Sequence, residues 1–375
     1  MNSAVAHGFC STSARLAAAL SMTAGLACGS AAAQPPAAQP PSAQPPSAQP
    51  PSAPNSPATA SVSATQAMTD AHPSLDGSVL TAAAPGSPRA LTVTVHSAAM
   101  NSPIRLEVLP APDRSRPAPT VYLLNGIDGG ADGNWINRTD IAQFFADKQV
   151  NVVVAFGGAS SYFTDWRADD PVLGRQRWTT FLTEELPPII DSGFGGNGTN
   201  AIIGISMAGT SVFQLALAAP GLYRAIGSYS GCARTSDPAG QLIVDAVVAG
   251  GMGNTVNMWG PPTDPAWAAN DPYLHADRLR GTAIYVSTGT GLPGPLDTLD
   301  GPGIRSSPAK LADQILVGGA LETGAVRCTR ELRTRLTELA IPATFDMRPT
   351  GTHSWGYWQE DLHRGWPVFT QALGL

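Results

Sequence analysis

The sequence predicts an α/β fold: a mostly parallel central sheet with helices on both faces, in a single catalytic-sized domain over residues 88–375. Three observations predict it. Two alternating segments, Leu91–His96 and Ile104–Leu109, read as half-buried strands. Two nearly continuous apolar runs, Thr120–Leu124 and Val150–Phe156, have the composition of strands buried on both faces. Strand-like and helix-like segments then alternate along the rest of the chain, the order that builds a doubly covered parallel sheet.

The two alternating segments come first and form an antiparallel edge. Thr120–Leu124 and Val150–Phe156 are the first buried strands. Between them Thr139–Lys148 carries Ile141, Phe144 and Phe145 at helical spacing. Trp178–Ile190 reads as a helix, Ala201–Ile205 as a strand, Met207–Ala218 as a helix and Ala225–Tyr229 as a strand. Thr282–Ser287 and Ala343–Met347 are the last strands, with a helix at Arg327–Leu339 between them.

Residues 1–87 have a different composition. Arg15 is the one charged side chain between Met1 and Thr69. It precedes the short apolar stretch Leu16–Ala27 and the small-x-small pattern Ala31-Ala32-Ala33, so residues 1–33 are expected to be a secretory signal peptide. Gln34 to Pro57 repeats Gln-Pro-Pro-Ser-Ala. Proline removes donors and fixes φ, so this stretch is expected to be extended; residues 58–87 are Ala/Ser/Thr-rich, and residues 34–87 together are expected to be a Pro/Ala/Ser-rich disordered linker. The expected location is therefore secreted, or held in the cell envelope.

Charge and composition exclude several classes. There are 22 Lys and Arg against 28 Asp and Glu, a net charge of −6 without a basic cluster, which argues against a nucleic-acid partner. The domain lacks an apolar run of the ~18 residues that a membrane span needs. Four Cys are too few for a zinc module or a disulfide-dense scaffold.

The stretch Ile203-Gly204-Ile205-Ser206-Met207-Ala208-Gly209 ends a β-rich run and opens a helical one. A serine there, flanked two residues away on each side by Gly204 and Ala208, fits the tight turn that lifts a nucleophile above a sheet edge. The Met207 N–H would then face a developing oxyanion. A serine nucleophile needs a base, and the chain order Ser, acid, His calls for a late His after the last strand. His353 in Thr350-Gly351-Thr352-His353-Ser354-Trp355 has that place. His363 sits in the final helical pattern and reads as a solvated or core side chain. Spacing leaves the acid open among twelve Asp and Glu between Ser206 and His353, with Asp297 or Asp300 in the default place after the strand at 282–287.

Several stretches together carry a resemblance. They are Tyr122-Leu123-Leu124-Asn125-Gly126, Gly157–Trp166, Trp178–Pro187, Gly204–Ala208, Met258–Pro261 with Asp264–Trp267, and Gly351–Trp355 before Tyr357-Trp358. In this order they resemble the antigen 85 mycolyltransferases of mycolic-acid bacteria and, more loosely, the esterase D-like group. The resemblance implies an α/β-hydrolase fold and a Ser-Glu-His triad of Ser206, His353 and Glu322, with Asp300 the runner-up acid. It implies oxyanion donors at the Met207 and Ile127 N–H groups, and substrate contacts at Asn125, Ser354 and Trp355. The implied function is transfer of a long-chain acyl group from a glycolipid donor to a sugar acceptor such as trehalose or cell-wall arabinan, without a metal or organic cofactor, by a monomer associated with the cell wall. A plain carboxylesterase or lipase with the same triad and a non-catalytic surface-binding protein are the alternatives. Asn125-Gly126-Ile127-Asp128 departs from the family, which has Asp before that glycine and Leu-Arg after it.

Cys232 and Cys328 are the cysteines outside the leader. Cys232 follows the strand ending at Tyr229, and Cys328 lies six residues after Glu322. If Glu322 reaches the sheet edge to meet His353, Cys328 is held near Cys232. A Cys232–Cys328 disulfide is expected in an oxidising compartment.

Overall fold

The computed structural model describes residues 63–86 and 89–375. The expected signal peptide and the Gln-Pro-Pro-Ser-Ala repeats lie outside the described residues. One nine-stranded sheet organises the rest, in the order β1-β2-β3-β5-β4-β6-β7-β8-β9. The strands are β1 (Val79–Pro85), β2 (Leu91–Ser97), β3 (Ser102–Leu109), β4 (Ala118–Leu124), β5 (Asn151–Ala155), β6 (Gly196–Ile205), β7 (Tyr223–Tyr229), β8 (Ala283–Thr288) and β9 (Thr344–Met347). The β1/β2, β2/β3 and β3/β5 pairs are antiparallel, and β5 to β9 run parallel through β4. The antiparallel edge and the parallel body are those the alternation predicts.

The helices used below are α1 (Ala64–Asp70), α2 (Leu186–Phe194), α3 (Met207–Ala218), α4 (Pro238–Gly250), α5 (Gly319–Glu338) and α6 (Trp355–Leu373). Side chains alternate across the central strands, so Tyr122, Leu124, Ile202 and Ile226 pack into one layer. Val121, Leu123, Ile203 and Ala225 pack into the other, with Trp358, Trp366 and Phe369 of α6. A fully buried side chain of this size contributes about 1.5–3 kcal/mol.

Three expectations need correction. The linker does not run to residue 87: α1 and β1 are regular structure. Ser63 caps α1 by accepting from the Gln66 N–H, Ala67 is fully buried, and β1 adds to the sheet edge through backbone bonds. Small side chains give this segment no apolar period, which is why composition hides it. The helix expected over Thr139–Lys148 is a single turn, Ile141–Phe144. The helix expected to start at Arg327 starts at Gly319, because Gly318 and Gly319 have helical φ and ψ instead of breaking the chain.

Cys232 and Cys328 form a disulfide that spans 96 residues and ties α5 to the segment after β7. Arg234 adds a contact to Glu331 of the same helix at 3.2 Å. Closing a loop of that length contributes roughly 4–5 kcal/mol in the chain-entropy model. A Cys232→Ser/Cys328→Ser protein is expected to lose about 2–5 kcal/mol of unfolding free energy. Denaturant melts with and without reductant check this: reductant should lower the native midpoint to that of the variant and leave the variant unmoved.

Candidate active site

β6 ends at Ile205 and α3 begins at Met207, so the chain reverses direction at Ser206. Ser206 has φ 55° and ψ −123°, a left-handed conformation that costs a non-glycine residue about 1–3 kcal/mol. Its N–H donates to the Tyr229 carbonyl at 2.9 Å. The turn closes because Gly204 lacks a side chain: a Cβ there would stand 2.4 Å from the Ala208 carbonyl oxygen. The hydroxyl is left at the carboxyl edge of the sheet, at the start of α3.

Two other elements converge on it. His353 lies in the loop after β9, its N–H donating to the Gly318 carbonyl at 3.2 Å. Its Nε2 is 2.8 Å from Ser206 Oγ, and its Nδ1 is 2.8 Å from Glu322 Oε2. Trp358 packs edge-on against the imidazole at 5.0 Å between centroids. Glu322 is in the first turn of α5 and is completely buried. Its Oε1 accepts from the Gly289 N–H at 2.6 Å, the Ser230 hydroxyl at 2.9 Å and the Thr288 hydroxyl at 3.0 Å. Burial pushes the carboxyl up, but the hydrogen bond and charge of His353, followed by the Gly289 and Ser230 bonds, outweigh it and hold Glu322 below its ordinary value. The three side chains can therefore pass a proton from Ser206 to an imidazole that is oriented by a carboxylate.

Known proteins resemble the chain in sequence and in fold. The model of a family described as "Putative esterase" matches residues 97–369. The chain belongs to this esterase family. The diacylglycerol acyltransferase/mycolyltransferase Ag85A of Mycobacterium leprae is 33% identical over 268 residues, covering 68% of this chain and 76% of that protein. Ag85B of Mycobacterium intracellulare is 32% identical over 273 residues, with the same coverage. Among solved structures, Mycobacterium tuberculosis MPT51 (FbpC1) superposes with a TM-score of 0.61 at 26% identity, covering 77% of this chain and 99% of that one. An S-formylglutathione hydrolase from Agrobacterium tumefaciens, at 16% identity and TM-score 0.56, shares the α/β-hydrolase fold. The chain is thus similar in sequence to the antigen 85 proteins and in fold to MPT51.

The other predicted positions divide into those near Ser206 and those turned away. Met207 is the first residue of α3, where an N–H has no intrahelical acceptor. Gly126 lies against Ser206, 3.6 Å from Ser206 Cβ to an added Cβ, which brings the following Ile127 to the same edge. Ser354 is the N-cap residue of α6, and Trp355 stands edge-on to Trp135 and Trp358 at 5.6 and 5.2 Å.

Asn125 is not a substrate contact. It is fully buried, donates to the Ala155 carbonyl at 2.8 Å and accepts from the Trp135 N–H at 3.3 Å, so it anchors the loop from inside. The Asp128 carboxylate is also committed, accepting from the Gly130, Asp132 and Gly133 N–H groups. Asp300 is exposed. Asp297 is buried but faces away from the imidazole: it accepts from Thr352 at 2.6 Å, Gln314 at 2.7 Å and Tyr357 at 2.8 Å, fixing the loop that carries His353. His363 bonds Asp140 at 3.0 Å and stacks on Phe144.

Sequence reasoning missed Ser230, Thr288 and Gly289, which cradle Glu322 from the ends of β7 and β8. The one local signal for them is that each lies just beyond a predicted strand, at the sheet edge where Ser206 emerges. Among the described residues, no cluster of three or more His, Cys, Asp or Glu side chains is placed to hold a metal ion. No helix of the described residues is long and apolar enough to cross a membrane.

Proposed function

We propose that this esterase-family protein is a secreted serine acyltransferase that moves a long-chain, mycolyl-type acyl group between sugar hydroxyls. The observation that carries the reading is the continuous Ser206–His353–Glu322 hydrogen-bonded chain at the strand-to-helix turn. His353 takes the Ser206 proton as Oγ attacks the ester carbonyl of a glycolipid donor. The Met207 and Ile127 N–H groups hold the tetrahedral oxyanion, each contributing about 2.7–4 kcal/mol. Collapse breaks the ester bond, and His353 returns the proton to the departing sugar oxygen. A second sugar hydroxyl then gives its proton to His353 and attacks the acyl-Ser206 ester, and as the acyl–Oγ bond breaks His353 returns that proton to Ser206. Ser354 and Trp355, beside His353, are the proposed contacts for the sugar. Export is supported by the apolar stretch Leu16–Ala27 ahead of Ala31-Ala32-Ala33.

A second reading, hydrolysis by a secreted carboxylesterase, is favoured by one observation. The Asn125 side chain is spent on Ala155 and Trp135, and the Asp128 carboxylate accepts from three N–H groups of its own loop, so both serve the scaffold before any acceptor sugar. Product analysis decides between the two. With an acyl-glycolipid donor and isotope-labelled trehalose in excess, the transferase reading expects labelled monoacyl trehalose as the main product, formed faster as acceptor is added. Free fatty acid at a rate indifferent to acceptor would establish the esterase reading instead.

A further inference from the structure

Arg348 follows β9 and is buried, as is Asp361 on α6. The guanidinium Nη1 donates to Asp361 Oδ1. Its Nη2 stands 4.0 Å from Glu322 Oε1, the oxygen that already accepts from Gly289, Ser230 and Thr288. The Arg348 backbone is fixed to the same cradle, its N–H donating to the Thr288 carbonyl at 2.9 Å. The guanidinium plane lies over the Tyr357 ring at 5.1 Å. Arg348 Nε and Nη2 are buried with no hydrogen-bond partner among the described residues, while the Ser287 hydroxyl stands beside the Asp361 carboxylate. A purely structural ion pair would be poorly built this way, because one carboxylate can accept two parallel bonds from a guanidinium. The second nitrogen is turned toward Glu322 instead.

We propose that Arg348 is a positioning residue: its buried guanidinium, shared between Asp361 and Glu322, sets the negative charge that Glu322 presents to His353. The inference rests on the triad reading above. The charged and titratable groups around Arg348 are Glu322 of α5, Asp361 and Arg364 of α6, Asp346 of β9, Tyr285 of β8, Tyr357 and His353. Of these, Asp346 is engaged by Arg364 and by the Tyr285 hydroxyl, both at 3.2 Å. Burial pushes the Asp361 carboxyl up to about 7 against the pull of Arg348, so Asp361 only partly cancels the guanidinium charge near neutrality. A net positive charge beside Glu322 weakens its hold on a protonated imidazole, which keeps His353 available as a base.

Titration of carbon-13-labelled histidine by NMR on the full chain reads this without substrate, with His353→Gln assigning the signal. Arg348→Met should raise the His353 pKa by roughly half to one unit. Arg348→Lys should restore most of the native value. Arg348→Met/Asp361→Leu removes both buried charges, keeps the fold if the single variant fails, and should still raise it. A native His353 titration in both Met variants would overturn the proposal. The acidic limb of kcat/KM on a soluble ester should move up by the same amount with KM unchanged. An NMR shift in a protein that turns over no ester would leave the role of Arg348 standing and would remove the proposed function instead.

Discussion

Ser206→Ala is expected to lower acyl transfer and ester hydrolysis about 10⁴-fold or more while leaving stability within about 1 kcal/mol of the native protein. In the proposed mechanism the chemistry depends on one atom, the Oγ that sits 2.8 Å from His353 Nε2. The fold does not depend on it. The Ser206 side chain makes no capping bond to α3, although it occupies the N-cap position. The strain of φ 55° is carried by the backbone and is the same for alanine. The turn is held instead by the Ser206 N–H on Tyr229 and by the contact between Gly204 and Ala208. Two measurements check the result. A serine-directed fluorophosphonate should label the native protein stoichiometrically and the variant not at all. Mass spectrometry after donor addition should find an acyl adduct on the native chain alone. A variant that kept a substantial fraction of turnover would take Ser206 out of the mechanism.

The contrast between Ser206 and Glu322 shows what a sequence makes legible. The nucleophile turn is local: strand, glycine, serine, small residue and helix lie within seven consecutive positions, and steric closeness dictates the residue types. The parallel strands are legible for a related reason, since burial on both faces leaves a short, nearly continuous apolar run bounded by turn residues. The acid is different. Its hydrogen-bond partners Ser230, Thr288 and Gly289 lie 92, 34 and 33 residues away. None of these distances leaves a pattern around residue 322. The preceding Gly318-Gly319 looks like a break, yet it carries the helix into the site. Spacing therefore pointed to Asp297 or Asp300, and family resemblance supplied Glu322. Asn125 shows the converse failure. Its place in the stretch beside the nucleophile suggested a ligand contact, while burial commits it to the scaffold. The α1–β1 segment is invisible because Ala67 packs by being small, and β1 joins the sheet through its backbone.

Glu322→Gln should reduce kcat by about 10³–10⁴-fold, with Asp300→Asn within about twofold of native. The argument is one of proton placement. In the native site Oε1 accepts three bonds and Oε2 accepts from His353 Nδ1, so the imidazole carries its hydrogen on Nδ1 and offers a bare Nε2 to Ser206. A glutamine has one acceptor oxygen and one amide nitrogen. If its oxygen keeps the Gly289, Ser230 and Thr288 donors, the amide faces Nδ1. It then donates there and forces the hydrogen onto Nε2, where the imidazole cannot take the serine proton. If the amide turns the other way, its hydrogens meet the Gly289 N–H, and a buried donor is left unpaired. The first arrangement preserves folding and destroys the base; the second keeps the hydrogen on Nδ1 but costs stability, about 1–3 kcal/mol. Kinetics on a soluble ester alongside a denaturant melt separate them. Asp300 is the control because it is exposed on the loop after β8. If Asp300→Asn lost the activity and Glu322→Gln kept it, the acid would have to be reassigned, and the hydrogen-bonded cradle around Glu322 would have to be read as structural.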